Sequence, residues 1–515
     1  MNRRILAGIV ITGWLASMGV LARREFWRPR GETIADAGQV VPPGSAFYTL
    51  TMGGQQIGYA SSTIDTTTED LRFQDVMVVE VPAMKTLHRT DVRTDAVLTR
   101  SLRLKTFTAK LQGEAGTFSA RGEVHGDTLL TAELESEGNT QHLRIPLKQA
   151  IVLPALLPMR VALGGRLRVG ATYSLDIFDP MVLQERRVNV TVAAESTLVV
   201  PDSADSDAQA THWFPVRWDT VHAWRLEQHA GGLKLETWID DLGRVVSASS
   251  PVGFRMERTA FEIAYENFRK RDTAAQLAAG LGNDIIQQTA VAANVRLDGT
   301  TTRLRAVLEG VDLAGFDLDG DRQKLSADTV SIEVESGDQL KARYRIGGQR
   351  LAGYDQYLDP EPLIQSTDPR IAAQARRIVG RVTDPRQAVA LLNAWVYQEL
   401  EKKITVSVPS AVQVLETRRG DCNEHTVLFV ALARALGIPA RTAAGLVHLN
   451  GHFYYHAWPE VYLRGWVAVD PTFGQVPADA AHIRFTIGGL ARQMELIRLI
   501  GRLSINVVDA KGRGA

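Results

Sequence analysis

The chain has 515 residues, with 58 basic and 58 acidic side chains and a formal net charge of zero. That length allows several separately cored domains, and balanced charge without a long basic run outside the extreme N-terminus argues against nucleic acid as a partner. The single cysteine, Cys422, excludes an intramolecular disulfide and leaves a thiol that is buried, reactive or open to a second chain.

Arg3 and Arg4 precede the uncharged apolar run Ile5–Ala22, which reaches the lower length limit for a bilayer-spanning helix. Arg23 and Arg24 follow at once, which favours an uncleaved membrane anchor over a signal peptide cut after Ala22. A count of flanking arginines places the body in the cytoplasm, whereas the short charged leader reads as an export signal. The expectation is an anchor or signal segment at 1–30, a tether at 31–46 containing Pro42 and Pro43, and a body in the periplasm or otherwise outside the plasma membrane. Cleavage would make the protein secreted.

Residues 47–270 carry Thr- and Val-rich alternating runs broken by turn signals at Gly53-Gly54, Gly126-Asp127 and Asp241-Leu242-Gly243. This pattern predicts an antiparallel β domain, a curved sheet or a sandwich, with polar Pro201–Gln209 as an exposed loop. Residues 271–282 read as helix, and 271–355 overall as a small β-rich unit or connector. Asp317, Asp319 and Asp321 imitate a calcium loop, but Arg322 and Asp328 stand where that loop needs Gly and Glu, so a hairpin turn is expected.

Helical signals dominate 356–485. Asp368-Pro369 and Asp384-Pro385 each combine an N-cap with Pro at the first helical position. Ser410 with Gln413 three residues on predicts a capping box for a helix ending near Gly420. The segment 486–515 predicts a helix over Leu490–Leu503 and a short strand over Ser504–Val508. The fold class is therefore α+β, a mixed C-terminal core preceded by a mainly antiparallel β region.

Residues 420–440, GDCNEHTVLFVALARALGIPA, predict a helix that is apolar almost all round and hence buried. Cys422 lies at its N-terminal edge with Asp421 as cap, where free amides and the helix dipole favour a thiolate. Downstream, GHFYYHAWPEVYL alternates as a strand with Tyr454, His456, Trp458 and Glu460 on one face, and WVAVDP follows as a second strand. His456 and Asp470 share a face only if the loop between the strands has an odd number of residues or a bulge intervenes. A two-residue turn at Arg464-Gly465 would separate them.

Cys422 then reads as nucleophile, His456 as general base and Asp470 as the acid orienting the imidazole, with the Cys422 N–H as one oxyanion donor. His425 and Glu424 read as structural residues, His452 as a rival base, His448 and His482 as surface residues, and Trp458 as a cleft wall or core residue.

GDCNEHTVLFVALARALGIPAR, HAWPEVYL and WVAVDPTF together resemble the bacterial transglutaminase-like superfamily over about residues 362–480. The resemblance implies a papain-like core with a triad at Cys422, His456 and Asp470, and a thioester reaction on amide bonds. Peptides or proteins are the expected substrates, cleaved by water or transferred to an amine. It carries over no calcium site; no cofactor and no metal are expected. The alternative function is a non-catalytic envelope scaffold that binds through its β region.

Overall fold

The computed structural model describes residues 41–512 apart from 84–85, 115, 137–138, 166, 181–182, 210, 231–232, 251–252, 273–284, 298–300, 404–407 and 409. The N-terminal anchor and residues 31–40 of the tether lie outside the described residues, as does most of the helix expected at 271–282. No helix of the described residues is long and apolar enough to cross a membrane.

Tight turns between alternating runs give fourteen strands in one sheet. In chain order they are β1 Gly44–Met52, β2 Gln55–Thr66, β3 Asp70–Ala83, β4 Thr86–Thr99, β5 Leu104–Gly113, β6 Gly116–His125 and β7 Leu129–Ser136. The remainder are β8 Asn139–Pro146, β9 Thr172–Asp179, β10 Gln184–Ser206, β11 Trp213–Ala230, β12 Leu233–Ile239, β13 Val245–Ser249 and β14 Phe254–Thr259. Two meanders meet where β1 pairs with β14, leaving β8 and β9 as the edges. Gly53 and Gly54, the two-residue loop between β1 and β2, and Gly126 and Asp127, in the three-residue loop between β6 and β7, all take positive φ.

The chain between β8 and β9 forms α1, Leu157–Leu163, which is apolar and buried along nearly its whole length. Its core neighbours come from both meanders, Phe73, Phe107 and Leu130 from one and Ile177, Val190 and Ile239 from the other. The two wings of the sheet thus share one core around α1. Gly243 in the β12–β13 turn is needed there, because a Cβ would lie 2.4 Å from the Met159 Cα. The helix α2, Phe261–Lys270, follows β14.

The expected loop at Pro201–Gln209 is mostly strand, since β10 continues to Ser206 and pairs with β11 as far as Trp213. Its residues are half-buried or exposed, so the ladder forms without the apolar alternation that marks a buried strand.

Further on come β15 Val291–Ala292, β16 Thr301–Glu309, β17 Gln323–Ser326 and β18 Thr329–Glu333. The last strand, β25 Ser504–Gly512, returns to pair with β16, so the C-terminal tail completes a four-stranded sheet. The helix expected at Leu490–Leu503 is a short α-turn at Leu490–Gln493 followed by a 3₁₀ segment at Met494–Leu499. The Asp317–Asp321 stretch is a turn closed between Gly320 and Gln323. Its carboxylates are spent on this scaffold: Asp317 binds Arg492, Asp321 binds Arg441, and Asp319 accepts from the Leu325 amide.

Asp368 and Asp384 cap α3, Pro369–Val379, and α4, Pro385–Glu399, by accepting from the amides of Arg370 and Arg386. For α5, Ala411–Thr417, the expected Ser410 capping box does not form. The Ser410 hydroxyl accepts from Gln365, whose own carbonyl takes the Val412 amide, and Gln413 accepts from Ser136 of β7. Distant partners displaced the local cap.

The helix α6, Cys422–Ala435, is enclosed: Val427 to Ala433 are all buried against α3, α4, α5 and a sheet. That sheet is β15-β22-β21-β24, with β21 Ala440–Leu449, β22 His452–Tyr462 and β24 His482–Ile487; β23 Trp466–Ala468 pairs with β22. Because α6 has no solvent face, truncating it leaves a void that cannot collapse onto water. Phe429→Ala is expected to destabilise the protein by about 3–5 kcal/mol, seen as an earlier denaturant midpoint.

Candidate active site

Gly420-Asp421-Cys422 has a local structural logic. The Asp421 carboxylate accepts from the Asn423 amide at 2.9 Å, and the Glu424 side chain turns back to accept from the Asp421 amide at 3.0 Å, forming a capping box. Glu424 crosses position 420 closely enough that a Cβ there would lie 2.2 Å from its own Cβ, so position 420 must be glycine. Glu424 is therefore a helix cap, a structural role. His425 is fully buried, and its Nδ1–H donates to the Asp421 carbonyl at 2.6 Å, a local structural role.

Cys422 is half-buried and packs against the apolar cluster that includes Ala457 of β22. The Ala457 N–H donates to its sulfur, which sets the thiol beside the residue that follows His456. Burial pushes the thiol well above its ordinary value; Asp421 adds to the rise, and the Ala457 N–H opposes it. The expected thiolate preference of the helix start is overturned chiefly by burial, to which the cap adds. The carboxylates that satisfy the first-turn amides put negative charge where the dipole would favour the sulfur.

The register of β22 and β23 meets the parity condition. Glu460 faces Ala468 and Tyr462 faces Trp466 across a three-residue loop, Leu463 to Gly465. His456 and Asp470 consequently project to one side, and His456 Nε2 lies 2.7 Å from Asp470 Oδ2.

Asp470 is fully buried, and every oxygen lone-pair direction finds a donor. Oδ1 accepts from the amides of Thr472 and Phe473, at 2.7 and 3.0 Å, and Oδ2 accepts from His456 and His482. Burial opposes the charge, but the two histidines outweigh it and hold the carboxyl well below the usual range.

His482 was expected at the surface and is instead 2 % exposed, inside the cluster. Its Nε2 is 3.0 Å from Asp470 Oδ2 and its Nδ1 is 2.9 Å from Asp479 Oδ1. Two carboxylates, one on each ring nitrogen, require both nitrogens to carry hydrogen, so the ring is an imidazolium. Burial opposes this, yet the bonds to Asp470 and Asp479 raise its pKa to about 9. The alternation of His482-Ile483-Arg484-Phe485 and the acid at 479 were the only sequence signals for it.

The flanking residues fix the rings. Trp458 is 1 % exposed, stacks on His456 and meets His482 edge-on, so it is a core support and not a cleft wall. Phe473 packs against the His456 ring, with centroids 5.0 Å apart. Glu460, on the same face, is buried in an ion cluster with Arg441 and Arg484 that ties β21, β22 and β24 together. Tyr454 and His452 are half-buried further along β22. Four residues of strand separate His452 from His456 by roughly 13 Å, so His452 does not join the cluster. His448, also expected at the surface, is buried against Phe453.

His456, Asp470 and His482 could converge on a cation, since their ligand atoms lie within 4.8 Å of one another. The bonds between them have hydrogen-bond lengths, and His482 would have to lose a proton held between two carboxylates. The arrangement therefore suits a proton network better than a metal centre.

Residues 372–471 match the family model described as Transglutaminase-like superfamily, a stretch that includes Cys422, His456 and Asp470 but stops short of His482. An uncharacterized protein of Mycobacterium leprae is 26 % identical over 181 residues, 32 % of this chain and 63 % of that protein. An uncharacterized protein of Haemophilus influenzae is 32 % identical over 157 residues, 25 % of this chain and 40 % of that protein. The match thus spans less than two thirds of each relative. Among solved structures, a proposed cysteine protease of Cytophaga hutchinsonii gives a TM-score of 0.27 at 18 % identity, covering 43 % of this chain and 82 % of that one. A DUF1089 family protein of Pseudomonas aeruginosa gives 0.23 at 12 % identity, covering 38 % and 90 %. At these TM-scores neither structure bears on the site. Within the C-terminal region, residues 372–471 are thus similar to the transglutaminase-like superfamily.

The His482 imidazolium stabilises the fold only while protonated. Its folded pKa of about 9 lies above the ordinary value of 6.5, so its contribution is complete below pH 6.5 and lost as pH rises through about 9. Denaturant midpoints of the wild type should therefore fall between pH 6.5 and 9.5. In His482→Gln that decline should shrink, with stability at pH 6.5 already reduced by about 3 kcal/mol.

Proposed function

We propose that this domain is a cysteine acyl transferase or hydrolase that acts on amide bonds of peptides or proteins through a thioester on Cys422. The observation that carries the reading is the buried His456–Asp470 pair on the strand whose next residue, Ala457, donates its N–H to the Cys422 sulfur. With Nε2 engaged by Asp470, Nδ1 is the nitrogen of His456 that exchanges a proton with substrate and thiol.

In this reading His456 Nδ1 takes the Cys422 proton as sulfur attacks the acyl carbon. The carbonyl electrons move onto oxygen, and the capping box, by occupying the amides of Asn423 and Glu424, leaves the Cys422 N–H to meet that oxyanion. Collapse breaks the C–N bond, and Nδ1–H protonates the departing amine. Water or a second amine then gives its proton to Nδ1 and attacks the thioester, and the thiol leaves with that proton. Asp470 holds the ring in one tautomer throughout.

The uncharged run Ile5–Ala22 supports a tether at the cell envelope, and the short charged leader before it supports a body outside the plasma membrane.

Incubation with a mixed peptide pool, followed by intact-mass analysis, should reveal a hydroxylamine-sensitive acyl adduct on Cys422. It should be absent in Cys422→Ala and reduced on the order of 10³-fold or more in rate in His456→Ala. A full adduct yield in His456→Ala would sink the proposed base. Because burial raises the thiol pKa, alkylation of Cys422 by iodoacetamide should keep accelerating with pH up to and beyond 9; a plateau below pH 7 would show a preformed thiolate.

A further inference from the structure

The large sheet holds a second cavity, remote in sequence from the thiol cluster. It has a volume of about 380 Å³ and lies between β1–β4 and the segment leading into α1. Size and composition are those of a small-molecule site: mostly apolar walls with a few convergent polar groups.

Cross-strand register explains how the polar groups come together. On the inward face of β2, β3 and β4, the row Ile64, Phe73, Ala96 is apolar, and so is the row Ala60, Met77, Val92. Between them runs Ser62, Asp75, Thr94, placing one carboxylate among two hydroxyls in the middle of an apolar face. Nothing in the folding of the sheet requires this; Val or Ile at 75 would complete the face.

The other charged residues lining the cavity are Asp179 and Arg244. Arg244 and Arg258 both bind the Asp240 carboxylate, at 3.0 and 3.1 Å. Asp75 has the Ser62 hydroxyl, and among the described residues no Lys, Arg or His is paired with it. Burial pushes its carboxyl up to about 6, the mark of a site lacking a counter-charge. Apolar walls weaken screening, so a cation arriving with its own apolar body gains more there than a neutral donor would.

We propose that this cavity binds a hydrophobic ammonium compound, its cation paired with the Asp75 carboxylate and its apolar body lying along Ile64, Phe73 and Met159. The site is separate from the thiol cluster, and its test does not depend on catalysis. The probes are octylammonium, octanol and octanoate, titrated calorimetrically into the full chain. Octylammonium is expected to bind at least about tenfold more tightly than either of the others. Asp75→Asn, which preserves shape, should remove that advantage while leaving octanol binding unchanged, and Ala60→Leu, which fills the cavity, should abolish all three. Equal affinity for the three probes overturns the proposal, as does tighter binding of octanoate or octylammonium affinity that survives Asp75→Asn. Should Asp75→Asn fail to fold, unchanged octylammonium binding in Ala60→Leu overturns it equally.

Discussion

A carboxylate with no access to water must be surrounded by donors, and Asp470 sets that requirement for the whole C-terminal domain. Two of its four donors are amides of the turn that follows it, and the other two are imidazoles from β22 and β24. Meeting the demand fixes the loop between β22 and β23, the tight turn after Asp470 and the return of the chain to β24. An uncompensated carboxylate at this depth would cost several kcal/mol, so these three features stand or fall together.

The same economy governs the nucleophile's side of the site. An enclosed helix such as α6 must have its first amides satisfied, and the Asp421–Glu424 box does so at the position where Cys422 enters. That solution brings two carboxylates near the sulfur, and they add to the burial that raises the thiol. His482, as a cation bridging Asp470 and Asp479, offsets negative charge on the other side. Behind the site, the Arg441–Glu460–Arg484 cluster is a buried network in which each charge has a partner. It spans three strands, which makes the relative placement of β21, β22 and β24 rigid.

The large sheet follows a different principle. It closes around α1 by apolar contacts from both of its wings, so its core is shaped by non-directional burial. Against that background the polar row through Asp75 stands out as a departure from the pattern that builds the rest of the face. The sheet also reaches the C-terminal domain directly, through Ser136 on Gln413 and through Val408, which packs into the sheet's core.

Much of this was legible in the residues themselves because its causes are local. Hairpin turns at Gly53-Gly54 and Gly126-Asp127, the Asp368 and Asp384 caps, the buried α6 and the strand at Ser504 follow from φ preferences, capping chemistry and periodicity within a few residues. The cysteine, histidine and aspartate could be grouped by the alternation of two strands, and even the condition on their register could be written down. Whether the loop held two residues or three was decided only by the folded hairpin. The tertiary structure alone placed His482 in the cluster, moved Ser410 and Gln413 from a local cap to distant partners, extended β10 through a polar stretch and raised the Cys422 thiol. Each of those outcomes depends on groups far away in the chain, and burial and charge compensation act through space, where sequence spacing carries no information.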